Sequence, residues 1–195
     1  MKKILALVLV LTLLFTLAAC GEKEEKKDNE DPKTSENGGE NNNGGAEIKG
    51  EAYNAGNFSA LVPEGWMAIP VSDMWSDAPN AVDPDALQII KDGTSEFDIL
   101  TKAYIQFNYY APETDLMVPS SEWYDGAENL DPIVAGEYTW NGFTAVSGGN
   151  TMITLWTGEA GGPQFQATLW CNGENVISAS DADVLAILAS VVPAA

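Results

Sequence analysis

The side chains that could do chemistry here are few in kind: two cysteines, twenty-nine carboxylates, nine lysine amines and six tryptophans, with no histidine and no arginine among them. Without histidine there is no Ser-His-Asp triad, no Cys-His pair and no imidazole ligand for zinc. Without arginine there is no bidentate clamp for phosphate or carboxylate. The glycine-rich run NGGENNNGG does not sit between a strand and a helix, so it is no phosphate loop. What remains is chemistry that carboxylates, amides and aromatic planes can do. Two carboxylates facing across a cleft could hydrolyse a glycan. Asp73 and Asp77 in SDMWSD, with Asp83 and Asp85 in DPD, could offer oxygens to calcium, although the spacing does not fit an EF-hand loop. The tryptophans could stack on sugar rings beside Asp, Asn and Gln.

In a small domain, large aromatics first build the core. Trp66 and Trp140 lie in strongly apolar surroundings and are expected there. Trp156 and Trp170 alternate with polar residues and sit near Gln164 and Gln166, an intermediate case. Trp75, in a Ser/Asp/Pro-rich stretch, and Trp123, in a short polar helix, are the candidate ligand-binding residues. Cys171 falls on the apolar side of its strand, where a thiol is a small buried hydrophobe rather than a nucleophile. Lys91 and Lys102 read as surface counter-charges. No catalytic residue, metal site or cofactor is assigned. From Glu51 onward, twenty acidic residues against two lysines give a net charge of −18. Such a surface repels phosphate backbones, so nucleic acid is not an expected partner.

The other cysteine has a different setting. Lys2 and Lys3 precede an apolar run, Ile4 to Ala19, too short for a permanent span of roughly 20 residues and suited to export. Leu17-Ala18-Ala19-Cys20 resembles the lipobox of bacterial lipoproteins. The resemblance implies that Cys20 carries a diacylglyceryl group and becomes the new N-terminus. Two acyl chains suffice for stable anchoring, at about 0.8 kcal/mol per buried methylene. Gly21 to Gly50 is rich in Glu, Lys, Asp, Asn and Gly and cannot bury enough surface to fold. A flexible chain of that length reaches about 30 Å. The expected organisation is a signal peptide over 1–19, a lipidated tether over 20–50 and one globular domain over 51–195. The protein is then expected outside the cytoplasm, anchored to the bacterial cell membrane.

The domain must position these residues with strands. NFSALVPEGWMAIP predicts two short strands about a Val62–Gly65 turn. LQIIKDG and KAYIQFNYY read as strands, and PSSEWYDGAENL as a short helix capped by Ser120 or Ser121. Asn141-Gly142 in TWNGFTA predicts a two-residue hairpin, with Tyr138, Trp140, Phe143 and Ala145 sharing one face. TMITLWT and QFQATLW predict a second hairpin. Its apolar face would hold Ile153, Leu155, Phe165, Ala167, Leu169 and Cys171. Its mixed face would hold Met152, Thr154, Trp156, Gln164, Gln166, Thr168 and Trp170. Val176 to Ala179 reads as a strand. Ser180 with Asp183 suggests a capping box for an apolar helix that Pro193 stops.

About six antiparallel strands with a C-terminal and a short helix make an α+β domain. YNAGNFSALVPEGW, TWNGFTA and VISASDADVLAILASV are similar to segments of PsbP-like domains. That resemblance implies an antiparallel sheet covered by helices, without a common catalytic apparatus, in proteins that mostly bind or assist others. The expected function is a non-catalytic, membrane-anchored binding or assembly domain acting on an envelope protein or glycan. The alternatives are a carbohydrate or calcium binder and a carboxylate-based glycan hydrolase.

Overall fold

The computed structural model describes residues 48–194. Cys20, the signal segment and nearly all of the expected tether lie outside the described residues.

The architecture is α+β and mostly antiparallel, with eleven strands among the described residues rather than about six, divided between two sheets. A small sheet has the order β1 (Gly50–Asn54), β2 (Phe58–Pro63), β11 (Val192–Pro193). The large sheet runs β3 (Trp66–Ser72), β4 (Val82–Lys91), β5 (Tyr104–Tyr110), β10 (Gln164–Trp170), β9 (Asn150–Thr157), β8 (Tyr138–Ser147), β6 (Glu128–Asn129). A short β7 (Ile133–Ala135) also pairs with β8. The turn expected over Val62–Gly65 falls later, on Glu64 and Gly65 with Gly65 at φ +84°, because Val62 and Pro63 still belong to β2, and it does not close a hairpin. It is a corner: β2 pairs with β1 and β11, whereas β3 pairs with β4.

The Asn141-Gly142 hairpin does not exist. Both residues lie inside β8, opposite Trp156 and Leu155 of β9. Gly142 is needed there for close approach rather than for a turn. A Cβ at this position would meet Leu155 Cδ2 and Thr154 O at 2.5 Å. The turn comes seven residues later, at Gly148 and Gly149, with φ +59° and +84° between the paired Ser147 and Asn150. Two positive φ values suit the primed turns that match strand twist. A straight β8 also splits the expected aromatic set. Trp140 points into the main core with Tyr138 beside it, and Phe143 and Ala145 point to the opposite face.

The β9–β10 faces are as expected. Ala167 pairs with Leu155 and Leu169 with Ile153 on one side; Gln166 pairs with Trp156, Thr168 with Thr154 and Trp170 with Met152 on the other. The first side is the core face. Leu87, Ile89, Ile105, Phe107, Leu155, Phe165 and Leu169 are fully buried on it. Phe58 and Ala60 of β2 cover them, together with Val184, Ile187 and Leu188 of the helix α1 (Ala182–Ser190). Each large side chain so buried contributes roughly 1.5–3 kcal/mol. Phe58 alone touches three rings, with centroids 5.8–6.4 Å from Phe165, Tyr109 and Phe107.

Four local expectations need correction. Val176 to Ala179 is irregular, with Ile177 buried and its N–H donating to the Cys171 carbonyl at 3.1 Å. The helix N-cap is Asp181, one residue past Ser180, and no side chain caps it. Asp181 instead accepts the Ser178 N–H, and Ser178 and Ser180 bond each other at 3.0 Å. The helix ends at Ser190, before Pro193, because Val191 is extended and Val192 joins β2. Ser190 Oγ accepts the Leu61 N–H at 2.7 Å, and Tyr138 donates its hydroxyl to the Val191 carbonyl at 2.7 Å, which fixes that exit. The short helix of residues 119–130 is a single 3₁₀ turn, Ser121–Trp123, with Ser120 as its cap.

Candidate functional site

Strand alternation gives the large sheet a second face, and its centre is polar and aromatic rather than apolar. Reading across the strands, Gln88, Gln106, Thr168, Thr154 and Phe143 form one row. Ile90, Tyr104, Trp170, Met152 and Ala145 form the next. Ala86, Asn108, Gln166, Trp156 and Asn141 form a third. Tyr104 and Trp170 lie nearly parallel, with centroids 6.1 Å apart and planes at 22°. Burial pushes the Tyr104 phenol above its ordinary value, so it stays neutral in the physiological range.

The connection from β5 to β6 crosses this face, and two glutamines hold it there. Gln164 is almost fully buried; its Oε1 accepts the Met117 N–H at 2.9 Å, and its Nε2 donates to the Thr114 and Asp115 carbonyls at 3.2 and 3.3 Å. Gln166 Nε2 donates to the Met117 carbonyl at 2.9 Å. A buried amide with all three bonds made outweighs the cost of dehydrating it. The 3₁₀ turn then carries Trp123 and Tyr124 over the sheet, where Tyr124 packs on Phe143 at 5.8 Å. A recess of about 280 Å³ is left between sheet and connection. Gln106, Thr154, Thr168 and Trp170 make its floor, and Pro119, Trp123 and Tyr124 its wall. No lining side chain carries a charge.

Two of the floor amides are half-used. Gln106 Oε1 accepts from Gln88 Nε2 at 3.3 Å, and Gln166 is bonded through its nitrogen. Among the described residues, Gln166 Oε1 has no hydrogen-bond partner, and the Gln88–Gln106 amide pair makes one bond in either orientation, so Gln106 also keeps one amide end unused.

Trp123 borders this recess, 77% exposed at its rim. Trp75 does not. It is 94% exposed on the loop between β3 and β4, next to exposed Met74, and it does not line the recess. The structure thus does not bring the two candidate tryptophans together in one pocket. Trp170, Gln106 and Thr168 are the residues that sequence reasoning left unassigned; the signal for Thr168 and Trp170 was the alternation in QFQATLW, and for Gln106 the alternation in KAYIQFNYY. Cys171 is buried on the core face as expected. Burial, with the nearby Asp181 carboxylate, pushes its thiol up to about 11. The Asp residues are engaged in local structure: Asp73 accepts the Trp75 N–H and Asp83 the Asp85 N–H, while Asp85 accepts from the Asn57 side-chain amide. Among the described residues, no three His, Cys, Asp or Glu gather as a metal site. Lys102 bonds the Asp92 carbonyl and pairs with Asp98 at 3.1 Å, and Lys91 reaches the Val176 carbonyl.

A larger recess, about 810 Å³, lies between β1 and the start of β3. Much of its lining is the edge strand β1, through which the chain enters the described residues, and it carries Glu51 and Glu64. Tyr53 and Trp66 also line it, but no side-chain amide does, and Lys49, Glu51 and Glu64 make it charged.

No family model matches the chain, and no curated protein matches it in sequence. A crystal structure of a protein from Bacteroides thetaiotaomicron VPI-5482 is similar with a TM-score of 0.42 and 10% identity, over 76% of this chain and 50% of that one. The chain thus spans about half the length of that solved protein.

Proposed function

We propose that the chain is a non-catalytic lipoprotein outside the bacterial cytoplasm, held to the membrane through Cys20. It displays a PsbP-like domain whose working surface is the second face of the large sheet. The observation that carries this reading is the uncharged recess under Trp123, where half-used amides and an aromatic floor remain open on an otherwise acidic domain. A few convergent polar groups in an aromatic-lined concavity are the usual makings of a ligand site. The Cys20 motif supports the anchoring, and the acidic tether holds such a face off the membrane.

Hydroxyl-radical footprinting of the tethered protein on its own envelope tests the reading. Trp123, Tyr124 and Trp170 should be protected relative to the isolated protein, while Trp75 and Phe97 should react equally in both. Protection confined to Trp75, Phe97 or the β1 edge would place the working surface elsewhere.

A further inference from the structure

We infer that the recess takes a neutral polyhydroxylated ligand, a saccharide unit without carboxylate, sulfate or phosphate groups. This rests on the reading of the second sheet face as the binding surface and adds the chemical class of what it binds.

Three features select that class. The first is charge. The lining has no ionisable group that is charged at neutral pH, while the domain around it carries −18. An anionic ligand would enter a repulsive field with no lysine in the recess to offset it. A cation would find no carboxylate to pair with on the floor. The second is hydrogen-bonding polarity. Gln166 Oε1 is a free acceptor, Gln106 keeps one amide end unused, and the hydroxyls of Thr154 and Thr168 can both donate and accept. A ligand must therefore supply donors as well as acceptors from neutral groups, which is what sugar hydroxyls do. A proline-rich peptide, the other ligand that aromatic grooves favour, supplies carbonyl acceptors but few N–H donors. The third is shape. The Trp170 plane, braced by Tyr104 at 6.1 Å, is a flat apolar platform beside those polar groups. A pyranose ring presents the same pairing, an apolar face edged by hydroxyls. A volume of about 280 Å³ sits at the small end of ligand sites, suited to one or two such rings rather than to a folded partner.

The test is calorimetric titration of the full mature chain in detergent with maltohexaose, cellohexaose and xylohexaose. Hexagalacturonic acid serves as the anionic probe and an acetylated proline-rich decapeptide as the other. At least one neutral hexasaccharide should bind, with a Kd insensitive to salt between 50 and 500 mM. Gln106→Leu and Thr168→Val should each weaken it about three- to tenfold at unchanged melting temperature. Trp170→Phe, which keeps a ring, should weaken it less than Trp170→Ala. If no neutral probe binds below about 10 mM, the inference is overturned. Binding of hexagalacturonic acid or the peptide, weakened by Gln106→Leu, would overturn the ligand class and leave the surface standing. A neutral sugar that binds equally well to every variant would overturn both.

Discussion

The two faces of the large sheet are built from the same strands and differ by one residue of register. On the core face, Leu87, Ile105, Phe107, Leu155 and Leu169 are sealed under β2 and α1. On the other, Gln106, Thr168 and Trp170 sit at positions adjacent along those strands and remain partly open. The cover differs too. A helix and a second sheet exclude water from the core face, whereas the second face is crossed by a connection tied down through glutamine side chains. Apolar cover stabilises the domain, and polar tethering leaves a concavity. The comparison teaches that burial alone does not identify the working residues: Met152 and Phe143 are as buried as the core, yet they form a separate small cluster beneath the recess.

Substitutions that strike one face and spare the other would break or sharpen this contrast. Trp140→Ala on the core face should cost about 3–5 kcal/mol and unfold the domain or lower its melting temperature sharply, as read by thermal circular dichroism. Trp140 Nε1 is buried without a partner among the described residues, so Trp140→Phe removes an unpaired donor along with volume and should cost far less. Trp170→Ala on the open face should cost about 1–2 kcal/mol, since only part of that ring is buried. Trp75→Ala and Trp123→Ala should each change stability by less than about 0.5 kcal/mol, and only Trp123 should affect ligand binding. A Trp75→Ala protein that loses binding would move the site to the β3–β4 loop.

The smallest effect lies on neither face. Asp98 accepts the Thr94 N–H at 2.7 Å, pairs with Lys102 and accepts from Thr94 Oγ1 and the Ser95 N–H, which holds its carboxyl at about 2. A carboxyl whose folded pKa is depressed adds stability above its unfolded value, near 3.8, and loses it as pH falls toward about 2. Acid titration of stability should show a small decline in that window, and Asp98→Asn should flatten it. An unchanged profile would mean that the bonds Asp98 makes to Thr94, Ser95 and Lys102 contribute nothing measurable.

How much of this could be read from the sequence follows from the kind of signal. Period-two alternation in QFQATLW and TMITLWT placed Cys171 and Leu169 inward and Trp170 and Thr168 outward, because a strand leaves a side chain no other choice. The Asn141-Gly142 signal misled because glycine answers two demands. Here it met close approach to Leu155, while Ser147-Gly148-Gly149-Asn150 supplied the turn. A local reading cannot weigh the two without knowing the partner strand. The separation of β2 from β3 was hidden for the same reason, since the pairing of β2 with β11 joins residues far apart in the chain. Trp123 was legible as exposed from its acidic neighbours. The recess beneath it was not, because its floor and wall meet through contacts distant in the chain, the Gln164 and Gln166 bonds to the connection and the packing of Tyr124 on Phe143.

Thiol reactivity measures the difference between the faces most directly. In a Cys20→Ala background, Cys171 should resist alkylation until denaturant unfolds the domain, since it is buried and its thiol is held at about 11. In the same background carrying Thr168→Cys, the introduced thiol should react in the native state, and a bound neutral oligosaccharide should slow it. Native-state labelling of Cys171 at the rate of the introduced thiol, or an introduced thiol as silent as Cys171, would contradict the account of one sealed face and one open one.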